Sequence, residues 1–152
     1  MTAAVGPPDV EPVGLRLARV AKTVGRAFDV ALGNAGGSVP VWLILVSLKA
    51  QSHGAQRELA DAVGIEGATL THHLNKMEAA GLVTRRRDPG NRRVHQVQLT
   101  AAGEALFASL LQRVAAFDRQ LRAGFSGSDL EQLRGLLDRL AENSAVPAKP
   151  TT

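Results

Sequence analysis

Apolar residues recur at three- and four-residue spacing in two short segments near the middle of the chain, residues 57–63 and 68–80. This spacing predicts two amphipathic helices, separated by a turn that contains Gly64. Leu70, Leu74 and Met77 form the apolar face of the second helix. Its opposite face is polar and carries Thr69, Thr71, His72, Asn75 and Lys76. Two helices joined in this way predict a helix-turn-helix, whose second helix normally enters the major groove of DNA.

A basic hairpin is predicted directly after these two helices. Residues 82–86 are strand-like, residues 94–99 alternate between polar and apolar side chains, and residues 88–91 (DPGN) have the composition of a tight turn. Five arginines minus one aspartate give this hairpin a net charge of +4, equal to the formal charge of the whole chain. The charged residues are Arg85, Arg86, Arg87, Arg92, Arg93 and Asp88. A basic hairpin beside a recognition helix predicts a winged helix-turn-helix with a two-stranded wing that seeks phosphates or the minor groove.

Two helices are predicted before this module. Residues 15–33 carry apolar side chains at helical spacing and end in a glycine-rich run. Residues 41–48 are apolar almost all round, which predicts burial, with Pro40 in the first turn and Ser38 as the candidate cap. Residues 1–14 contain three prolines and two glycines and are predicted to be a flexible tail.

Two helices are also predicted after the wing. Thr100 is expected to cap a long amphipathic helix at residues 101–123. Ser128 and Glu131 have the spacing of a capping box, which predicts the start of a leucine-rich helix at residues 130–140. Residues 144–152 are predicted to form a second flexible tail.

The terminal helices carry more apolar surface than a small winged domain can cover. We therefore expect a two-fold homodimer built from residues 15–33 and 101–143, with residues 40–99 as the DNA-binding part of a single domain at 15–143. Two recognition helices can then reach successive major grooves of a near-palindromic site. The predicted fold class is mainly α (α+β), a winged helix-turn-helix with N- and C-terminal dimerisation helices.

Composition narrows the functional classes. At 152 residues the chain suits one domain, and its pI of about 10.3 suits a protein that meets an acidic polymer. The absence of cysteine excludes disulfides and thiolate metal sites. The longest apolar stretch, residues 39–48, is too short to span a membrane, and no secretory signal is visible, so a cytoplasmic protein without a membrane partner is expected.

From residue 15 to residue 141, the order of elements and several motifs resemble the MarR family of bacterial transcriptional regulators. The most specific segments are RELA, GIEGATLTHHLNKMEAAGLVTR, DPGNRR and VQLTAAG. The resemblance implies a homodimeric repressor that binds operator DNA. It also implies that a small aromatic or phenolic acid, bound between the dimerisation helices and the winged domain, releases the protein from DNA.

The resemblance also implies individual DNA contacts. The expected residues are Ala68, Thr69, Thr71, His72 and Lys76 in the recognition helix and Arg85, Arg87, Arg92 and Arg93 in the wing. Two positions depart from the family pattern. Asn91 stands where an aspartate usually pairs with the wing arginine, and His72 stands where an arginine is common.

The small-molecule site is less defined by the sequence. Arg16 is the first candidate to hold a ligand carboxylate, and Trp42 is a candidate for lining the pocket. The competing interpretations are a surface ion pair for Arg16 and core packing for Trp42.

The four histidines do not have the spacing of a metal site. His72 and His73 point about 100° apart on a helix, and His53 and His95 lie in other elements. We expect DNA contact for His72, local packing for His73 and a partly buried structural role for His95. No metal or other cofactor is predicted.

An enzyme is not expected, because no nucleophile, base and orienting residue share a recognisable spacing and no glycine-rich phosphate loop follows a strand. The alternative function that stays open is a ligand-independent architectural or accessory DNA-binding protein. Sequence preference, and its loss with a small molecule, would distinguish the two.

Overall fold

The computed structural model describes residues 10–51, 54–91 and 95–145, and this part of the chain contains six helices and three strands. The helices are α1 (Val13–Gly33), α2 (Val39–Ala50), α3 (Gln56–Val63), α4 (Gly67–Ala79), α5 (Ala101–Leu121) and α6 (Gly127–Ser144). The strands are β1 (Gly54–Ala55), β2 (Val83–Arg87) and β3 (His95–Leu99). Most of the expected tails, and the predicted site residues Arg92 and Arg93, lie outside the described residues. The chain divides into two compact units, Met1–Phe117 and Asp118–Thr152.

The strands form one antiparallel sheet in the order β1-β3-β2. The predicted hairpin is confirmed, with pairing that runs from Val83 opposite Leu99 to Arg87 opposite His95. Gly54 and Ala55 of β1 pair with the other edge of β3, which adds a short third strand that the sequence analysis missed. Two residues are too few to show a period-two pattern, so this strand leaves no signal in the sequence.

The first unit has one hydrophobic core, between the helices and the inner face of the sheet. α2 supplies three of its buried residues, Ile44, Leu45 and Leu48, which confirms the predicted burial of this helix. The apolar face of α4, the first residue of β2 (Val83) and the middle residue of β3 (Val97) also reach the core. The largest fully buried side chains are Leu32, Ile44, Leu45, Leu48, Leu70, Leu74, Val83, Val97 and Leu110. The predicted recognition helix, α4, therefore packs directly on this core.

Hydrogen bonds at the helix starts show which polar residues act as caps. Ser38 is confirmed at α2, where its Oγ accepts a hydrogen bond from the Val41 N–H at 3.4 Å. The predicted capping role of Thr100 is also confirmed, since the Gly103 N–H donates to Thr100 Oγ1 at 3.1 Å.

The predicted capping box at Ser128 and Glu131 is wrong. α6 begins earlier, with Ser126 as its N-cap and Asp129 as the reciprocal partner. The Asp129 N–H donates to Ser126 Oγ at 3.1 Å, and the Ser126 N–H donates to Asp129 Oδ2 at 2.8 Å. The Ser126 hydroxyl also donates to Asp129 Oδ2 at 2.7 Å, and this hydrogen bond, together with that from the Ser126 N–H, lowers the pKa of Asp129. Both serines precede an acidic residue by three positions, so the spacing alone did not distinguish them.

The two serines provide a test of this assignment. We expect Ser126→Ala to lower the free energy of unfolding by about 1 kcal/mol, because an N–H of the first turn loses its acceptor. Ser128→Ala, inside the helix and exposed, should change it by no more than about 0.5 kcal/mol. Urea denaturation followed by circular dichroism measures both. Equal effects of the two substitutions would return the cap assignment to Ser128.

The second unit contains the end of α5 and the whole of α6. No residue of α6 is buried within the chain, and Leu133, Leu136 and Leu137 are 44%, 47% and 40% exposed. These leucines therefore form an exposed apolar surface on this unit. Among the described helices, none combines the length and the hydrophobicity needed to cross a bilayer.

Candidate nucleic-acid interface

α4 presents a polar exposed face, as its sequence predicted. Ala68, Thr69, His72 and Lys76 are exposed, while the opposite face packs into the core. α3 leads into it through a turn in which Gly64 has φ of +72°, a left-handed conformation that glycine adopts at low cost. The helix-turn-helix geometry thus leaves the N-terminal half of α4 accessible to a ligand.

Thr71, another predicted contact, is only partly exposed and takes part in an internal network. Its Oγ1 donates to the Gly67 carbonyl at 2.8 Å and accepts from Gln56 Nε2 at 2.7 Å. Gln56 is the first residue of α3, so this network ties the two helices of the motif together. Because its only proton is used internally, the Thr71 hydroxyl can act only as an acceptor towards a ligand.

The turn of the wing is organised by Asp88. Its Oδ1 accepts from the Gly90 N–H at 2.7 Å and the Asn91 N–H at 3.1 Å. Its Oδ2 accepts from Gln96 Nε2 on β3 at 3.0 Å. These three hydrogen bonds, that from Gln96 first, hold the pKa of Asp88 below its usual value. Asp88 thus fastens the turn to the hairpin, close to the position where the family pattern places its aspartate.

The arginines of β2 have different environments. Arg86 and Arg87 are exposed, whereas the Arg85 side chain is 20% exposed and held by α4. Arg85 Nε and Nη2 donate to Glu78 Oε2 at 3.0 and 2.6 Å, and the Arg85 backbone N–H donates to Glu78 Oε1 at 3.2 Å. Arg85 Nη2 also donates to Asn75 Oδ1 at 2.6 Å. We refer to Arg85, Glu78 and Asn75 together as the Arg85 clamp.

The Arg85 clamp changes the ionisation of its carboxylate. Side-chain hydrogen bonds from Arg85 lower the pKa of Glu78, and they outweigh desolvation, which acts in the opposite direction. The positive charge of Arg85 and the hydrogen bond from its backbone N–H lower this pKa further. Glu78 is therefore a carboxylate at neutral pH, and it neutralises one of the wing arginines.

The histidines differ from expectation at one position. His73 is partly exposed, and its ring lies 5.8 Å from that of His72 at an angle of 69°. The prediction that His95 is partly buried is wrong, because this side chain is exposed. His95 lies on the same strand face as Val97, but at the end of β3 near the hairpin turn, where the core no longer covers it. Within the described ranges, no three His, Asp or Glu side chains are grouped as metal ligands.

Comparison with known proteins identifies the architecture. The MarR family model matches residues 38–95, which run from the N-cap of α2 to the first residue of β3. The chain is also 29% identical over 140 residues to the HTH-type transcriptional regulator PecS of Dickeya dadantii, covering 89% of this chain and 84% of PecS. The chain is thus similar to transcriptional regulators of the MarR family rather than to an enzyme.

Solved structures show a similar fold. The repressor CouR, bound to a 23-mer DNA duplex, is 26% identical with a TM-score of 0.79, over 86% of this chain and 92% of CouR. BpsR of Bordetella bronchiseptica, whose DNA binding is regulated by 6-hydroxynicotinic acid, has a TM-score of 0.79. It is 22% identical over 93% of this chain and 100% of BpsR, a likeness that shows the fold alone.

The two residues predicted for effector binding lie in different surroundings. Arg16 is on α1, exposed, and 3.6 Å from the carboxylate of Glu11. It borders an open depression of about 410 Å³ together with Arg19, Val20, Thr23 and Val24. Trp42 is partly buried and stacks on Phe107, with ring centroids 5.5 Å apart and an interplanar angle of 6°. Trp42 does not line the depression at Arg16, so the structure does not bring the two residues to one cavity.

Three residues that hold this polar surface in place were not predicted from the sequence as functional candidates. They are Gln56, Glu78 and Asp88. Each acts through a neighbour: Gln56 on Thr71, Glu78 on Arg85, and Asp88 on the wing turn. Glu78 and Arg85 did leave a signal, since opposite charges stand on either side of the glycine that ends the recognition helix.

Proposed function

We propose that this MarR-family regulator is a homodimeric, sequence-specific DNA-binding repressor that a small aromatic or phenolic acid releases from its operator. The observation that carries the DNA-binding part is the exposed polar face of α4 beside the exposed arginines of β2. The relatives add support, since CouR is a repressor seen on a DNA duplex.

The charge distribution favours a nucleic acid as the partner. Lys76 on α4 and Arg86 and Arg87 on β2 are exposed, and none has an ion-pair partner in the part of the chain that the structure describes. Arg92 and Arg93 add two further charges to the hairpin sequence. Basic side chains on both sides of a recognition helix are suited to the two phosphate backbones that border a major groove.

The exposed apolar surface supports the homodimer. On α1, Val13, Leu15 and Val20 are 64%, 56% and 52% exposed. On α6, Leu133 and Leu136 are nearly half exposed. Monomeric proteins rarely leave such surfaces open to water, and a second copy would cover both helices while doubling the DNA-contacting surface.

The effector proposal is supported by the positive charge of α1 and by a relative. Arg16 and Arg19 are exposed guanidinium groups on one helix, and both pair with the carboxylate of Glu11, which the carboxylate of an aromatic acid would replace. BpsR, which shares the fold, is regulated by an aromatic acid. Such a ligand releases DNA only if it binds more tightly to an arrangement in which the two recognition helices no longer match their grooves.

Fluorescence anisotropy tests the proposal with a duplex from the gene's own upstream region and a scrambled duplex. We expect tighter binding to the upstream duplex and release by a member of a panel of aromatic carboxylates. His72→Ala should reduce the preference between duplexes, since base contacts carry sequence information. Arg93→Ala should weaken binding to both and reduce the slope of log Kd against log salt by about one.

The architectural alternative predicts a different pattern. An accessory DNA-binding protein would bind both duplexes equally, and no aromatic acid would release either. That result would contradict the proposed repressor. Unchanged affinity and salt slope in Arg93→Ala would contradict only the assignment of the wing tip.

A further inference from the structure

The Arg85 clamp joins the recognition helix to the wing. We propose that Arg85 is a positioning residue: held by Glu78, it fixes the C-terminal half of α4 and the amide of Asn75 for sequence reading, instead of contacting phosphate itself. The inference rests on the proposed DNA-binding function and assigns Arg85 a role different from the phosphate contact expected from its sequence.

The clamp closes an open edge of the sheet. β2 is an edge strand in the order β1-β3-β2, so N–H groups that face away from β3 need partners outside the sheet. For the Arg85 N–H that partner is Glu78 Oε1, while Glu78 Oε2 accepts from the guanidinium of the same residue. Both oxygens of one carboxylate therefore bind one residue of β2. This arrangement fixes position and angle together, which a single ion-pair contact would not.

The charge and burial of Arg85 disfavour a phosphate contact. Its side chain is 20% exposed and its charge is neutralised by Glu78 at neutral pH. Its neighbours Arg86 and Arg87 are exposed and have no ion pair within the described residues. Counterion release on DNA binding is driven by arginines that reach phosphates, so these neighbours suit that role and Arg85 does not.

The clamp also determines which groups Asn75 can offer to DNA. A guanidinium only donates hydrogen bonds, so the atom of the Asn75 amide that faces Arg85 must be its oxygen. The amide NH2 of this exposed α4 residue is then left for a ligand. Bidentate recognition of adenine by asparagine needs both a donor and an acceptor. The clamp occupies one lone pair of the Asn75 oxygen and fixes the direction of the amide, and loss of the clamp would free the amide to rotate and weaken sequence preference.

For Glu78→Gln, the clamp and a surface-charge effect predict opposite changes in affinity for the upstream duplex. The substitution removes a negative charge, so a surface-charge effect alone would tighten binding to every duplex. The clamp predicts about 10-fold weaker binding to the upstream duplex, with scrambled-duplex binding unchanged or tighter. Asp61→Asn is the matched control: it makes the same charge change at an exposed position of α3 and should preserve the preference between duplexes.

Arg85→Gln separates positioning from phosphate contact. If Arg85 is a positioning residue, Arg85→Gln should leave the salt slope unchanged and reduce the preference between duplexes as much as Glu78→Gln does. The double variant should then show no greater effect than either single variant. The proposal is overturned if Arg85→Gln lowers the salt slope by about one while Glu78→Gln tightens upstream binding, because Arg85 would then reach a phosphate.

Hydrogen exchange without DNA keeps this inference separate from the proposed function. If the wild-type protein prefers no duplex, the proposed function fails. The clamp is then tested by the hydrogen-exchange rate of the Arg85 backbone amide, whose acceptor in the described structure is the Glu78 carboxylate. In Glu78→Ala that amide and the last turn of α4 should exchange at least ~10-fold faster than in the wild type, with Asp61→Asn unchanged. Equal exchange rates in Glu78→Ala and the wild type would overturn the clamp.

Discussion

We expect Gly103→Ala to destabilise the winged module by about 2–3 kcal/mol, although alanine normally favours a helix over glycine by about 1 kcal/mol. Gly103 is buried in the first turn of α5. A Cβ atom there would overlap the carbonyl oxygen of Leu82 and lie 3.1 Å from Leu99 Cδ2. The Leu82 carbonyl is backbone and already accepts from the Thr100 N–H at 3.1 Å, so it cannot move aside without breaking that hydrogen bond.

Thermal and urea denaturation of the variant measure this effect. A loss of this size corresponds to a decrease in Tm on the order of 10 °C for a protein of this length. Gly135→Ala is the matched control, because Gly135 is also in a helix interior but a Cβ there meets no atom within 4 Å. The control should be neutral or slightly stabilising. If Gly103→Ala were as stable as Gly135→Ala, the close approach of α5 to the Leu82 backbone, between α4 and β2, would be contradicted.

The helices and the hairpin were predictable because their patterns are local. Leu70, Leu74 and Met77 repeat at helical spacing, and each is buried as that spacing implies. The strand pattern was less informative at His95. Alternation assigns a residue to a face, but it does not show how far along the strand the core extends.

The Arg85 clamp and the strand β1 depend on tertiary neighbours. Glu78 and Arg85 are seven positions apart in sequence, and they meet only because the chain turns back after α4, at Gly81 with φ of +73°. β1 exists because two residues before α3 reach the free edge of β3. Neither contact has a repeating pattern, so neither could be derived from spacing. The chemistry of the polar surface was predictable by residue type, but not the residues that hold it in position.

The proposed homodimer predicts the largest change in DNA affinity. We expect Leu133→Glu combined with Leu136→Glu to convert the protein to a monomer of 16.0 kDa and to weaken binding to the upstream duplex by about 100-fold or more. Both leucines are exposed within their own chain, at 44% and 47%, so glutamate at these positions need not disturb the folded monomer. In a dimer interface the same charges would be buried without partners. Each monomer would then hold only one half of the operator.

Light scattering coupled to size exclusion gives the mass, and anisotropy gives the affinity. Gly135→Glu is the control, because it adds a negative charge to α6 about 200° around the helix from Leu133 and about 100° from Leu136, where a side chain has open space. This control should keep the dimer mass and the wild-type affinity. If the double variant kept the dimer mass, the exposed leucines of α6 would not form the interface. If it became a monomer but bound the upstream duplex as tightly as the wild type, one recognition helix would suffice, and the expectation of a near-palindromic operator would be wrong.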